Sequence, residues 1–217
     1  MGVANGSKWM SPLGNLYVTY TLGVPSKQML SLAYHFPQVA AAAVVKTMED
    51  YGVGKEARLQ MKFVNDVFLN DKKVCGVLSR METAAGCDHF KLMIGIGVNL
   101  NTLSEHYKDL KIATSVLIET GIRIPTSDFA HSLASNLSKF VMILQTEGFQ
   151  GYLYEYIADK MYLRGKKVKI YDRNLTTVTL VGIFEALNPD GSVTIVDDLG
   201  TKHVINDGRM RDFNFNP

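Results

Sequence analysis

The stretch from Met61 to Leu78 reads MKFVNDVFLNDKKVCGVL, and its parsing decides the fold. The run from Arg58 to Phe63 alternates and reads as a strand. Val67–Leu69 and Lys73–Leu78 flank Asn70-Asp71, residue types that suit a tight hairpin turn. A strand thus ends in Asn65-Asp66, the chain turns, and it returns through Lys73 into an apolar strand. Lys62, Asn65, Asp66 and Lys73 gather near one end of this hairpin. Two lysines, an amide and a carboxylate can bind a carboxylate or phosphate and balance its charge. A salt-laced hairpin with solvated charges is the other reading of the same residues. Cys75 has no neighbouring histidine or helix start to activate it and reads as a buried structural cysteine.

Outward from the hairpin, Asn15–Val24 (NLYVTYTLGV) is rich in aromatic and β-branched residues, bounded by Gly14 and Pro25, and predicts a strand. Leu30–Tyr51 carries four successive alanines, Ala40 to Ala43, in an apolar helical pattern that Gly52 and Gly54 end. Small side chains there let a core helix approach a sheet closely. Phe90–Val98 is a further apolar strand, and its Gly95 and Gly97 suggest close approach of another backbone or a ligand. Helices are expected over Ile112–Glu119, stopping at Gly121, over Phe129–Glu147 with Thr126 as N-cap, and over Tyr152–Lys160. Past Gly165 the character shifts to short β runs, Lys166–Ile170, Val178–Phe184, Val193–Val196 and His203–Ile205. Turn signals such as Asn188-Pro189-Asp190-Gly191 separate them, the pattern of a small barrel.

The chain has 217 residues, 47% of them hydrophobic and 20% charged, which excludes a disordered chain. At roughly 150 residues per domain, that length corresponds to one or two domains. Twenty-three basic residues against twenty-one acidic ones leave a net charge of +2, so the molecule as a whole makes no electrostatic case for nucleic acid. Two cysteines, Cys75 and Cys87, make no disulfide framework, and no His/Cys cluster has zinc-ligand spacing. No apolar run is long enough to span a membrane and no secretory signal opens the sequence, so a cytoplasmic location is expected. Gly95-Ile96-Gly97 lacks the third glycine of the dinucleotide fingerprint, and Gly165-Lys166-Lys167 is not a phosphate-binding P-loop.

Four ordered segments resemble biotin protein ligases. Trp9-Met10-Ser11-Pro12 with Gly14-Asn15-Leu16-Tyr17 is similar to the family's W-x-S-P-x-G-N-L-Y. Lys62-Phe63-Val64-Asn65-Asp66 is similar to K-W-P-N-D, and Lys73-Val74-Cys75-Gly76-Val77-Leu78 to K-[IVL]-[AG]-G-[IV]-L. Ile94-Gly95-Ile96-Gly97-Val98-Asn99-Leu100-Asn101 is similar to the strand end [IV]-G-x-G-x-N-x-N. Ala113-Thr114-Ser115 and Asp207-Gly208 also sit where the family has similar residues.

The resemblance implies an α+β fold, with a mixed β-sheet packed by helices as in biotin and lipoate ligases. On this reading residues 1–150 form the catalytic domain without its first strands, 151–162 a helical connection, and 163–217 an SH3-like β-barrel. The implied activity is ATP-dependent ligation of biotin, through biotinyl-adenylate, to a lysine of a carboxylase's biotin carboxyl carrier domain. Lys73 would lie between the biotin carboxylate and the α-phosphate. Asp66 would assist Mg2+ or the acceptor lysine, and Asn65 and Lys62 would shape the same wall. Gly76, Gly95 and Ile96 would approach biotin over an apolar floor of Val77 and Leu78, Asn99 would hydrogen-bond the adenine, and Trp9 would pack over the ligand. A homodimer is compatible with this reading; a nucleic-acid or membrane partner is not part of it.

Departures from the family pattern define the alternatives. Phe63-Val64 replaces Trp-Pro, and the family's loop arginines, in G-R-G-R-x-G-x-x-W, have no counterpart in Met1–Trp9, where Lys8 is the cation. The residues that precede this loop in the family are absent, so truncation is the expectation drawn. A catalytically impaired biotin-binding remnant is one alternative. Lipoate or octanoate transfer on the related fold is another, although its R-R-x-S-G-G-G-type loop does not occur.

Overall fold

The computed structural model describes residues 3–4, 7–8, 11–25, 32–83, 88–107, 110, 112–172 and 174–215. Trp9 lies outside them. Two short strands, β1 (Val3–Ala4) and β2 (Ser7–Lys8), pair antiparallel. The main N-terminal sheet comprises β3 (Leu16–Pro25), β4 (Leu59–Lys62), β5 (Asp66–Leu69), β6 (Lys72–Thr83) and β7 (His89–Val98). Their order is β3-β7-β6-β5-β4, and all four pairings are antiparallel. The mixed sheet expected from the resemblance is therefore not what the described strands form. Consecutive strands β4 to β7 each turn back directly on the last, and a direct reversal leaves no crossover for parallel pairing. Parallel contact is limited to two isolated bridges, Met61 to Met161 and Lys73 to Ala113.

The expected hairpin turn forms as read. Asn70 and Asp71 have φ of 49° and 66°, the pair of positive values that a twisted two-residue turn demands. Helix α1 (Phe36–Asp50) starts later than the apolar pattern suggests, because Pro37 fits the first turn, where its missing N–H costs nothing. Ala40 to Ala43 are fully buried, as the close helix–sheet approach requires. The helix expected at Ile112 begins only at α2 (Val116–Thr120). Ser115 caps it by accepting from the Ile118 amide at 3.2 Å, and Gly121 closes it with φ 72°. Helices α3 (Thr126–Thr146) and α4 (Tyr152–Asp159) follow their apolar periodicity.

The C-terminal strands are β8 (Lys167–Tyr171), β9 (Val178–Leu187), β10 (Val193–Val196), β11 (Lys202–Ile205) and β12 (Arg209–Asp212). They form a second antiparallel sheet in the order β11-β10-β9-β8-β12. Among the described residues β11 and β12 remain edges, so this is an open sheet and not a closed barrel. The segment ahead of this sheet is tied to β4, and the sheet's turns are tied to the start of α1. Met61 of β4 donates to Lys160 O at 2.8 Å and accepts from the Tyr162 amide at 2.7 Å. At the N-terminus of α1, Gln38 donates to Gly191 O at 2.7 Å, and Tyr34 donates to Asn206 O at 2.7 Å. One hydrophobic cluster runs from the α1 alanines through Ile94 and Ile96 to Val168, Phe184 and Met210.

Candidate active site on the open face of the first sheet

Strand geometry sorts the candidate residues onto two faces, because successive side chains point to opposite sides. Register places Asp66 beside Gly76, Gly76 beside Gly97, and Gly97 beside Tyr17. One step along, Leu78, Gly95 and Thr19 form the next row. These two rows belong to the face turned away from the core. Cys75, Val77, Ile96 and Val98 belong to the opposite face and are at most 3% exposed. Val77 and Ile96, expected against the ligand, therefore support the floor from below. Leu78 is 55% exposed on the open face and is the apolar part of that floor. Burial also pushes the Cys75 thiol far up, in keeping with an inert structural cysteine.

Strict alternation would put Lys73 with Cys75 and Val77, facing the core. A bulge prevents this. Val67 pairs with Cys75 while the next residue, Phe68, pairs with Lys73, so Val74 is the extra residue. The parity of the strand flips, and Lys73 shares a face with Asp66 and Gly76. Its Nζ lies 2.5 Å from Asp66 Oδ1. The strand end is clamped on its other side, where the Lys73 amide donates to Ile112 O at 2.6 Å and Lys73 O accepts from the Thr114 amide at 3.0 Å.

Lys62 stands opposite Asp66 in the β4–β5 ladder and is buried, with its amine 5.3 Å from the Phe68 ring centroid. Burial, together with the charges of Arg211, Lys73 and Arg209, brings its pKa down to about 7 against the pull of Asp66. Burial pushes the Asp66 carboxyl the other way, but Lys73 and Lys62 beside it outweigh that and hold it below the ordinary carboxylate range. Asn65 acts as a brace, its amide donating to Val77 O at 2.5 Å while the Val77 N–H donates to Asn65 O at 3.0 Å.

The face keeps room above Gly95. A Cβ built on Gly95 would come no nearer than 3.6 Å to Leu78 O and 3.9 Å to Thr19 Oγ1, ordinary contact distances. Backbone packing therefore does not demand glycine at position 95, which favours a ligand over a purely structural reason for it.

Asn99, expected to hydrogen-bond the adenine, makes protein contacts through its side-chain amide. Its Oδ1 accepts from Asn15 at 3.2 Å, its Nδ2 donates to Thr114 O at 2.9 Å, and it is 4% exposed. Its amide ties the end of β7 to the segment that clamps Lys73 and so braces the site. Asn15 extends the brace by donating to the hydroxyls of Tyr17 and Tyr107 at 3.1 and 3.3 Å.

Asp66 was also expected to hold Mg2+. Its partner here is Lys73, and among the described residues no three His, Cys, Asp or Glu side chains come together. A lone carboxylate set among lysines does not fit a protein-held divalent cation.

Two contributions escaped the sequence reading. Tyr17 reaches the open face because β3 pairs in register with β7, which alternation within Asn15–Val24 could have signalled. Arg209 and Arg211 come from the far end of the chain, and nothing local marks them.

One face of an antiparallel sheet thus carries a lysine–carboxylate pair beside paired glycines, an arrangement suited to holding an acid. Residues 2–99 match the biotin/lipoate A/B protein ligase family. The chain is 25% identical over 195 residues to the bifunctional ligase/repressor BirA of Escherichia coli K12, covering 89% of this chain and 57% of that protein. It is 29% identical over 193 residues to the biotin--[acetyl-CoA-carboxylase] ligase of Paracoccus denitrificans, covering 88% and 77%. The chain thus spans little more than half of the Escherichia coli relative. The fold matches the biotin protein ligase from Aquifex aeolicus in complex with biotin and ATP, with TM-score 0.76, 25% identity, and coverage of 95% of this chain and 82% of that one. In sequence and in fold the chain is thus similar to biotin protein ligases.

Proposed function

We propose that the chain ligates biotin to a lysine of a carboxylase carrier domain at the expense of ATP. The biotin carboxylate attacks the α-phosphorus and pyrophosphate leaves. The neutral amine of the acceptor lysine then attacks the activated acyl carbon, AMP leaves, and the amine's extra proton is lost. The observation that carries this reading is the placement of Lys73, which the Val74 bulge delivers to the glycine-paved face and Asp66 orients. A cation at that point would stabilise charge building on the α-phosphate, an effect worth roughly 3–4 kcal/mol for a preorganised donor. Asp66, held ionised, is a weak base and serves to aim Lys73. Gly95 would leave the acid room to lie on the face, with Leu78 and Tyr17 at the sides. Mg2+ enters this reading only as a companion of the nucleotide phosphates.

Biotin is preferred to lipoate or octanoate because the Paracoccus relative and the Aquifex structure are named for biotin. The division at about residue 162, with the C-terminal sheet completing an SH3-like unit, is part of the same reading. Among the described residues no helix is long and apolar enough to cross a membrane, which agrees with a cytoplasmic carrier as partner. The test is pyrophosphate release and mass gain of a carrier domain with biotin and MgATP. We expect Lys73→Ala to slow adenylate formation by about 1,000-fold, the larger end of what loss of one such donor costs. A native chain that neither binds biotin nor releases pyrophosphate would overturn the assignment.

A further inference from the structure

The turn that leads into Lys73 is held from outside the sheet, by Glu119 of α2. One carboxylate there takes three donors. Glu119 Oε1 accepts from Thr114 Oγ1 at 2.7 Å and from Lys72 Nζ at 3.1 Å, and Oε2 accepts from Asn70 Nδ2 at 3.0 Å. The side chain is only 10% exposed. Burial pushes its carboxyl up, but the bonds from Thr114, Asn70 and Lys72 outweigh that and hold it below the ordinary carboxylate range. Asn70 is engaged at its other atom too, since its Oδ1 accepts from the Arg58 amide at 3.0 Å.

These partners surround Lys73. Asn70 and Lys72 precede it in the hairpin, and the Thr114 amide donates to its carbonyl. The segment that carries Thr114 and Glu119 is fixed in turn to the end of β7. The Val116 and Leu117 amides donate to Asn99 O and Leu100 O at 3.0 and 2.9 Å, and the Asn99 amide donates to Val74 O at 2.8 Å. The bulged start of β6 is therefore enclosed by a ring of bonds, and Glu119 closes it with a side chain.

The ring matters because the direction of Lys73 depends on register. With Val74 as the extra residue, Lys73 faces Asp66; paired without it, the same lysine would fall on the core face. Lys72 and Lys73 are also neighbours on one strand, so their side chains leave it on opposite sides. Holding Lys72 on Glu119 turns Lys73 the other way, toward Asp66 and Gly76. We propose that Glu119 is a positioning residue for Lys73: its carboxylate ties the Asn70–Lys72 turn to α2 and keeps the bulge at Val74, which holds the Lys73 amine on the open face. What the amine does there rests on the ligase reading; the proposal adds what aims it. Asp66 orients the tip of the side chain, and Glu119 fixes the backbone at its root.

Adenylate formation by the full chain, followed as pyrophosphate release, tests this in two backgrounds. Glu119→Gln keeps the shape, but its amide nitrogen cannot accept, so the rate should fall by about tenfold, the cost of one hydrogen bond to a charged group. Biotin affinity, read by titration calorimetry, should stay within about twofold of native, since loss of aim is not loss of binding. In a Lys73→Ala chain the same change should cost less than about twofold, because a residue that acts through Lys73 then has nothing to aim. Equal losses in both backgrounds, or no loss in the native one, overturn the proposal. A second readout needs no catalysis. Hydrogen exchange at the Lys73 and Thr114 amides should quicken by about tenfold in Glu119→Gln, while the amides of β7, a strand paired on both sides, keep their rates. Unchanged exchange at Lys73 and Thr114 overturns the proposal, as does a quickening that β7 shares. A native chain that releases no pyrophosphate overturns the ligase reading, and the exchange result then decides the proposal alone.

Discussion

The two sheets have the same number of strands and the same antiparallel pairing, yet they use glycine for opposite ends. In the C-terminal sheet, a Cβ on Gly182 would fall 2.4 Å from Val196 O and 2.8 Å from Ile195 Cγ2. Glycine there lets β9 and β10 close against each other next to the register shift at Thr194/Ile195. In the N-terminal sheet, a side chain at Gly95 would meet its neighbours at ordinary distances. One glycine serves the fold, and the other keeps a surface clear. Identical residue types in similar strands therefore carry different information, and only their surroundings separate them.

Filling the clear surface should break this contrast most visibly. Gly95→Val should fold with unchanged thermal stability and lose biotin affinity by about 100-fold, the cost of a steric block in a fitted pocket. Parallel melting and biotin titration would check this; a melt as damaged as the binding would make Gly95 a structural residue. Gly182→Ala should do the reverse, lowering stability by about 2–3 kcal/mol through overpacking against backbone that cannot yield. Biotin affinity, measured well below the melting temperature, should hardly change.

The smallest effect concerns Lys62, at the seam between the sheets. Its folded pKa of about 7 lies below the ordinary lysine value of 10.5. Between those values the unfolded chain binds a proton there that the folded chain has released, so stability contributed by this residue rises with pH. Lys62→Met should remove that rise and raise stability near neutrality by about 1–2 kcal/mol. Chemical denaturation of both proteins across roughly pH 7 to 10 would show the slope, and an unaltered slope would mean the amine is solvated and charged.

Much of the fold was legible because its signals are local. The Asn70-Asp71 turn, the alanine-lined α1 and the alternation of β3 and β7 each need only their own residues. The Lys62, Asp66 and Lys73 cluster was legible too, since a short hairpin keeps its ends together. Other features needed the partner strand. Val77 and Leu78 are adjacent apolar residues, and pairing alone shows that one is buried and the other lies on the open face. Asn99 read as a base contact because its motif sits at a strand end, whereas Asn15 and Thr114 claim its amide.

By itself, the sequence determined the strands, the hairpin that gathers two lysines and a carboxylate, and the ordered motifs that resemble those of biotin protein ligases. The tertiary structure alone decided that Lys73 faces Asp66, because one extra residue at Val74 reverses the alternation and shows only when β5 is laid against β6. It alone also decided that the charges of Arg209 and Arg211 are felt at Lys62, because no short-range pattern encodes a charge contributed from more than a hundred residues away.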